Sequence, residues 1–358
     1  MKTEEVISLI NNDVRGLKKY HLNRQDAEIK LNQNENPYDW PLQIKEKAAS
    51  FFTQRPWNRY PDFIPDQLKS QLAEYAGVEA QNIIVGNGSN EMLLVLLLSF
   101  VKKTTSVTLS TPTFTVYNLL ASGMGASTTS INLKENLQFD TEAICKAVEK
   151  DPGTALILCS PNNPTGSTLS KEDITGILGV HKGICILDQA YVEFGGYDAI
   201  ELLKRYPNLI ITRTFSKAMA GAGLRTGYMI GTAEIISEIN KIKLPYNINF
   251  FSEYAASLML QNRNLLRHSI DTTIEQRSEL FDFLNSQPFD SVYPSEGNFI
   301  LVRSKMKDKM FDFLVKDGIL IRDVSTYTML ENCMRISIGT PEENKKLKES
   351  LRKFFLNH

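Results

Sequence analysis

Short apolar segments alternate with helical stretches from about residue 80 onward, and this alternation most limits the folds open to the chain. The apolar segments lie at residues 82–86, 106–110, 154–159, 184–188, 209–214 and 227–231. Both alternating faces of these segments are apolar, which is typical of strands covered by helices on both sides. The pattern therefore predicts an α/β fold in which crossover helices join the strands of a mostly parallel sheet.

The pattern changes near Pro245. A long helical stretch over about 252–285 leads to a second unit, with strands predicted at 297–302, 318–322 and 334–339. A terminal helix should follow, because Thr340 can cap it and Glu343 can complete a capping box.

These boundaries predict a two-domain chain. We expect a large domain over 41–245 and a smaller α/β domain over 246–358. The first part of the chain, 1–40, lacks a periodic core pattern, and we expect it to form an arm and a segment that packs with the small domain.

Composition and charge exclude several classes of protein. The 358 residues include 40 Lys and Arg and 41 Asp and Glu, for a formal net charge of −1. This balance argues against nucleic acid or an anionic membrane surface as the main partner. The most apolar segment, 92–101, is too short to span a bilayer, and the start of the chain lacks the pattern of a signal peptide. The four cysteines form no C-x-x-C pair and the four histidines are scattered, so we expect a cytoplasmic protein with no metal site.

Polar motifs follow the predicted strands at their carboxyl ends, where ligands bind in open parallel sheets. In chain order they are GNGSNE, TPTF, SPNNPTG, DQAY and FSK. Each motif alone has a purely structural interpretation, such as a turn, a helix cap or a surface lysine. Together they favour a ligand with a phosphate, a cationic ring nitrogen, a ring hydroxyl and an aldehyde that a lysine can capture. Pyridoxal 5′-phosphate has all four groups.

The glycines at positions 221, 223 and 227 raise a different possibility, that of a nucleotide loop. Their spacing does not match a dinucleotide-binding motif, and they precede a strand where that motif follows one. We therefore reject a nucleotide site here.

The chain resembles the class I and II aminotransferases, which are fold-type-I pyridoxal-phosphate enzymes. Within this family it is most similar to the histidinol-phosphate aminotransferases. The resemblance rests on the order and spacing of the motifs LNQNENPY (31–38), RYPD (59–62), GNGSNE, TPTF, PNNPTG (161–166), DQAY (188–191), TFSKAMAGAGLRTGY (214–228), PYNIN (245–249), GNFIL and CMRISIGTPEEN (333–344).

The resemblance implies roles for the residues of a cofactor site. Lys217 should bind the cofactor covalently and later move the Cα proton of the substrate. Asp188 should pair with the pyridine nitrogen and keep it protonated. Tyr191 and Asn163 should bind the ring 3-oxygen, and Phe114 should stack on the ring face. The phosphate should be held by Ser89, Asn90, Thr214, Ser216 and Arg225 and, across a homodimer interface, by Tyr60 of the partner subunit.

The resemblance also implies a substrate pair and a reaction. L-histidinol phosphate should give its amine to the cofactor and 2-oxoglutarate should take it, yielding glutamate and imidazole acetol phosphate in histidine biosynthesis. Arg322 and Arg335 should bind the substrate phosphate, and Arg335 should also receive the oxoglutarate carboxylate. Asn163 and, from the partner's arm, Tyr20 should complete the substrate site.

Three alternatives to this reaction stay open at the level of sequence. A threonine-phosphate decarboxylase shares the fold and would release CO₂ from a substrate that carries both carboxylate and phosphate. An aromatic or other amino-acid aminotransferase would share the cofactor site. A non-catalytic cofactor-binding domain of a regulator is a third, although the chain carries no DNA-binding extension or basic arm to support it.

Three positions depart from the family pattern. Gln189 stands where glutamate is common, Asn90 where an acidic residue is frequent, and Met219 where phenylalanine is usual. We expect little effect from Gln189, a changed geometry of the phosphate loop from Asn90, and a packing change from Met219.

Overall fold

Two β-sheets organise the chain in the computed structural model, which describes residues 2–17 and 26–357. The strands in chain order are β1 (Ile29–Leu31), β2 (Ile83–Gly86), β3 (Ser106–Thr111), β4 (Ser127–Asn132), β5 (Ala155–Cys159), β6 (Cys185–Asp188), β7 (Leu209–Thr214), β8 (Gly227–Ile230), β9 (Ser291–Tyr293), β10 (Phe299–Arg303), β11 (Ile319–Asp323) and β12 (Cys333–Ser337).

The helices surround these sheets. They are α1 (Thr3–Ser8), α2 (Asn12–Arg15), α3 (Leu42–Gln54), α4 (Asp66–Ala76), α5 (Ser89–Phe100), α6 (Val116–Gly123), α7 (Thr141–Lys150), α8 (Lys171–Val180), α9 (Ala233–Ile239), α10 (Phe250–Gln261), α11 (Asn264–Asn285), α12 (Lys307–Lys316) and α13 (Pro341–Leu356). Short 3₁₀ turns cover Ala80–Asn82, Val192–Phe194, Ala199–Lys204 and Ala222–Leu224. None of the helices described has both the length and the apolar character needed to cross a bilayer.

The larger sheet has seven strands in the order β2-β8-β7-β6-β5-β3-β4. Only β8 runs antiparallel to its neighbours, and the other pairs are parallel. Successive residues of β7 enter opposite cores, with Leu209 and Ile211 on one face and Ile210 on the other. Helices α4, α7 and α8 contribute to the first core, and α5, α6 and α9 contribute to the second. The predicted α/β fold with a mostly parallel, doubly covered sheet is confirmed.

Strand β4 was not predicted from the sequence. Its residues, STTSIN, lack an apolar face and are largely exposed. The strand lies at the edge of the sheet and pairs in parallel with β3 alone, so backbone hydrogen bonds hold it without a buried face.

The smaller sheet has five strands in the order β1-β11-β12-β10-β9. Strand β1 comes from the N-terminal part of the chain and pairs in parallel with β11, whereas the other pairs are antiparallel. The core of this unit includes Ile300, Ile321 and Met334 from the strands and Leu347 from α13. Strand β9, with only three half-buried residues, was also missed.

Of the two predictions made about helices, one is confirmed and one is wrong. The capping box of α13 is confirmed, since Thr340 Oγ1 accepts from the Glu343 N–H at 3.2 Å and Glu343 Oε2 accepts from the Thr340 N–H at 2.8 Å. The single long helix predicted over 252–285 is wrong, because α10 ends before Asn262. The Asn262 side chain donates to the Leu258 carbonyl at 2.8 Å, a local bond that competes with helix continuation.

Candidate active site

A cavity lies at the carboxyl ends of the parallel strands and extends to the smaller sheet. Loops after β3 and β5, the last residue of β6 and the loop after β7 approach it from the large sheet. Strands β11 and β12 approach it from the small sheet. It is lined by Asn32, Gln33, Asn34, Ser89, Asn90, Phe114, Tyr117, Cys159, Asn163, Asp188, Ala190, Tyr191, Thr214, Ser216, Lys217, Arg225, Arg322, Tyr327 and Arg335.

Every site residue proposed from the sequence lies in this lining except two. Tyr60 is 77% exposed and stacks on Tyr246 with ring centroids 4.5 Å apart, outside the cavity of its own chain. Tyr20 falls outside the described residues. The lining residues come from positions far apart in sequence, so the fold has brought together what the strand-end motifs suggested.

One end of the cavity is built to receive an anion. Arg225 has a left-handed backbone, with φ of 52°, and its Nη1 donates to Ser216 Oγ at 3.0 Å. Thr214 Oγ1 donates to the same oxygen at 3.0 Å and accepts from the Ser216 N–H at 3.1 Å. Beside them is the N-terminal end of α5, where free N–H groups and the helix dipole favour negative charge.

Two glycines allow this packing. Gly88 has φ of 82°, and a Cβ there would lie 2.7 Å from Arg225 Nη2. A Cβ on Gly227 would lie 2.3 Å from the Ser89 backbone nitrogen. Any larger residue at either position would displace the arginine or the start of α5.

Lys217 carries the amine of the site. Its Nζ donates to the backbone carbonyl of Gln33 at 2.9 Å and lies 5.7 Å from the centroid of the Tyr191 ring. Burial lowers the pKa of this ammonium to about 7, and the positive charge of Arg335 contributes in the same direction. A substantial fraction of the amine is therefore neutral, and nucleophilic, near neutral pH.

Asp188 is a buried carboxylate, 4% exposed, at the end of β6. Its Oδ1 accepts from the Ala190 N–H at 3.0 Å and its Oδ2 from the Tyr117 hydroxyl at 2.7 Å. Burial raises its pKa, and these hydrogen bonds oppose that rise. The positive charge of Lys217 acts in the same direction as these hydrogen bonds. Such a carboxylate facing a cavity is suited to a cationic ligand atom.

The two arginines of the small sheet face each other across β11 and β12. Arg322 and Arg335 are register partners in this antiparallel pair. Arg335 is 8% exposed, and its guanidinium donates to the Asn32 carbonyl at 2.8 Å and to Asn163 Oδ1. Within 2–17 and 26–357 the Arg322 guanidinium has no hydrogen-bond or ion-pair partner. Two neighbouring guanidiniums form an electropositive wall suited to a phosphate or carboxylate.

Seven residues of this lining were not proposed from the sequence, and two of them, Tyr117 and Asn34, form side-chain hydrogen bonds with proposed site residues. Tyr117 stands three positions after Phe114, on α6, and nothing in the sequence shows that it reaches Asp188. Asn34 lies inside the quoted motif LNQNENPY, yet its bond to the Tyr191 hydroxyl at 3.1 Å depends on a contact between distant parts of the chain.

The three departures from the family pattern occupy different environments. Gln189 is fully buried behind the cavity, where its Nε2 donates to the Tyr197 carbonyl at 2.7 Å and its Oε1 accepts from Arg213 at 3.3 Å. Met219 is buried in the same hydrophobic core as Leu209 and Ile211 of β7. Asn90 alone lines the cavity, so it is the departure placed to touch a ligand.

Comparison with known proteins agrees with this geometry. A family model described as aminotransferase class I and II matches residues 26–351. A histidinol-phosphate aminotransferase of Chlorobium phaeovibrioides is 36% identical over 349 residues, covering 97% of this chain and 97% of the relative.

Solved structures show the same similarity. The histidinol-phosphate aminotransferase of Clostridium acetobutylicum superposes with a TM-score of 0.84 at 26% identity, covering 92% of this chain and 100% of the other. The L-threonine-O-3-phosphate decarboxylase of Porphyromonas gingivalis superposes with a TM-score of 0.80 at 21% identity, covering 92% of this chain and 100% of that one. Fold similarity alone therefore does not separate the two reactions.

Proposed function

The chain belongs to the class I and II aminotransferase family, and from this premise we propose that it binds pyridoxal 5′-phosphate and transfers the amine of L-histidinol phosphate to 2-oxoglutarate. The reaction would proceed in two half-reactions at one site, first with the amine donor and then with the oxo acid.

The cavity fits the cofactor group by group. Arg225, Ser216, Thr214 and the start of α5 would hold its phosphate. Asp188, a buried carboxylate at the end of β6, would pair with the protonated ring nitrogen. Phe114 would cover a ring face, and the ring 3-oxygen would lie near Tyr191 and Asn163. When bound, the cofactor supplies an aldehyde that takes up an amine and a ring that withdraws electrons from the substrate Cα.

Lys217 would then serve two purposes. Its neutral amine would hold the cofactor before substrate arrives, and afterwards the released amine would accept the proton from the substrate Cα. The lowered pKa of Lys217, about 7, suits both tasks because the free base is available near neutral pH.

The observation that carries the substrate assignment is the arginine pair. Arg322 and Arg335 are adjacent in register and line the same cavity as Lys217, and the Arg322 guanidinium has no protein partner in the described residues. Histidinol phosphate has no carboxylate, so its recognition requires cations that grip a phosphate at the end away from the amine. The names of the relatives support the same substrate.

The proposed enzyme is a homodimer with shared sites. Tyr60, Phe63 and Tyr246 form an aromatic cluster on the surface in which Tyr60 is 77% exposed and Phe63 is 58% exposed. Apolar surface of this kind is typical of an interface. A second copy covering it would bring the Tyr60 hydroxyl toward the phosphate end of the partner's site.

A donor comparison tests this function. The spectral change of the bound cofactor is followed in a single turnover with L-histidinol phosphate, L-histidinol and L-phosphothreonine, and CO₂ release is measured for the last. We expect rapid conversion with histidinol phosphate, at least about tenfold slower conversion with histidinol, and no CO₂. Equal rates with histidinol would contradict the phosphate-binding role of the arginines, and CO₂ release from phosphothreonine would favour the decarboxylase.

A further inference from the structure

A chain of hydrogen bonds links the small sheet to the Tyr191 hydroxyl. Ser337 at the end of β12, Asn34 just after β1 and Tyr191 just after β6 are its members, and their exposed fractions are 2%, 1% and 4%. All three side chains are buried, and the hydrogen bonds between them restrict where their hydrogens point.

The direction of each hydrogen bond in this series follows from which groups can donate and which can accept. Ser337 Oγ accepts from the Asn34 backbone N–H at 2.9 Å, and its own hydrogen is donated to Asn34 Oδ1 at 3.0 Å. This places the Asn34 Nδ2 group against the Tyr191 oxygen, to which it donates at 3.1 Å. The Tyr191 oxygen therefore accepts from Asn34 and keeps its own hydrogen for another acceptor.

The opposite orientation of the Asn34 amide is unfavourable. If the amide turned over, Nδ2 would face Ser337, and the Ser337 hydrogen would lose its acceptor. Among the described residues that hydroxyl donates to no acceptor other than Asn34 Oδ1. Leaving such a buried donor unsatisfied costs about 1–3 kcal/mol.

The backbone of Asn34 is also held in place. Its φ of 53° lies in the left-handed region, which asparagine tolerates better than most residues. Asn298, which precedes β10 and is fully buried, donates to the Asn34 carbonyl at 3.0 Å. The amide is thus fixed from both the main chain and the side chain.

We propose that Ser337 and Asn34 are positioning residues that turn the Tyr191 hydroxyl hydrogen toward the cavity, where the ring 3-oxygen of the cofactor would accept it. This inference rests on the proposed function, because it requires pyridoxal phosphate in the cavity. Among the described residues the Tyr191 hydroxyl donates to no acceptor, so the cofactor oxygen would be free to accept its hydrogen. Residues of the small sheet would thereby orient the hydrogen bond that Tyr191, which follows a strand of the large sheet, donates to the cofactor.

The pH titration of the bound cofactor's visible absorption reports this contact directly. A hydrogen bond donated to the ring 3-oxygen stabilises its negative charge, and so lowers the pH at which the chromophore loses its proton. Ser337→Ala removes the restraint on the amide without adding charge, so the Tyr191 hydrogen can turn to Asn34 Oδ1. We expect the titration midpoint to rise measurably, by up to about one pH unit.

Asn34→Asp gives a second and stronger test. A carboxylate at this position accepts from both Ser337 and Tyr191, which draws the Tyr191 hydrogen away from the cavity. The midpoint should rise by about one pH unit or more. Because the new charge also raises the midpoint through space, the substitution is repeated in a Tyr191→Phe background, where only the charge effect remains.

The matched control is Ser350→Ala, which deletes a buried hydroxyl from α13, a helix that contributes no residue to the cavity lining. It should leave the midpoint unchanged. Equal shifts for Asn34→Asp with and without the Tyr191 hydroxyl, together with an unshifted Ser337→Ala, would overturn the inference. A wild-type protein that shows no cofactor absorption at all would instead contradict the proposed function.

Discussion

The Tyr117 hydroxyl donates a hydrogen bond to Oδ2 of Asp188 over 2.7 Å, and both side chains are buried. Burial raises the pKa of this phenol well above its usual value and the charge of Asp188 raises it further, so Tyr117 stays neutral and donates to the carboxylate. The bond therefore supports the ionised carboxylate that would pair with the ring nitrogen.

Tyr117→Phe should slow transamination about tenfold, because losing a hydrogen bond to a buried charge costs on the order of 1.4 kcal/mol. The measurement is the single-turnover rate with histidinol phosphate. Asp188→Ala serves as the reference, and it should fold, bind some cofactor and lose most of the activity. Adding Tyr117→Phe to Asp188→Ala should then change little. A tenfold further loss in that background would show that Tyr117 does not act through Asp188.

The arginine pair predicts a split between the two substrates. Arg322→Ala should weaken the binding of histidinol phosphate by about 100-fold, because charge-assisted hydrogen bonds to phosphate contribute a few kcal/mol. The binding of oxoglutarate should be affected much less. Arg335→Ala should impair both. Half-reaction rates measured against substrate concentration separate the effects, with Arg267→Ala as a control on an arginine whose side chain is 87% exposed. If Arg322→Ala leaves the preference for the phosphorylated donor intact, the arginine has no part in it.

The pKa of Lys217 predicts how cofactor capture depends on pH. Burial lowers this pKa from 10.5 to about 7, so the neutral amine should increase as pH rises through 7. The rate at which apoenzyme binds pyridoxal phosphate covalently should follow the same rise, as measured by stopped-flow absorbance with Nα-acetyl-lysine, whose ε-amine is free, as the reference. Arg335→Ala removes a positive charge that lowers the pKa, so it should move the midpoint upward. A midpoint near that of the reference amine would show that Lys217 is not perturbed.

The position of many site residues could be predicted from the sequence because parallel strands end at one edge of a sheet. Asp188 and Thr214 are the last residues of predicted strands, and Lys217 follows within three positions. The apolar segments of the sequence predict where those strands lie, and the ends of the strands predict where the site residues lie.

Contacts between distant residues could not be predicted in this way. Tyr117 and Asp188 are 71 positions apart, and Asn34 and Tyr191 are 157 apart. Their bonds depend on which helix covers which strand and on how β1 joins the small sheet. Strand β4 could not be predicted for another reason, because a polar edge strand has no apolar periodicity in its sequence.

A shared site predicts complementation between inactive subunits. Mixing Lys217→Ala with Tyr60→Ala should produce heterodimers in which one site keeps both Lys217 and the partner's Tyr60, so activity should reappear. Mixing Lys217→Ala with Asp188→Ala is the control, because both changes affect the chain's own cavity and no intact site can form. Heterodimers that form yet stay as inactive as their parents would show that Tyr60 does not act across the interface.

The most direct test of the central claim is to trap the cofactor on the protein. The protein is incubated with pyridoxal phosphate, reduced with borohydride, digested and mapped by mass spectrometry. We expect a protein that is yellow before reduction and that afterwards carries a single phosphopyridoxyl label on Lys217, which lines the cavity with Asp188 and Arg225. A label on another lysine, or no label, would contradict the account.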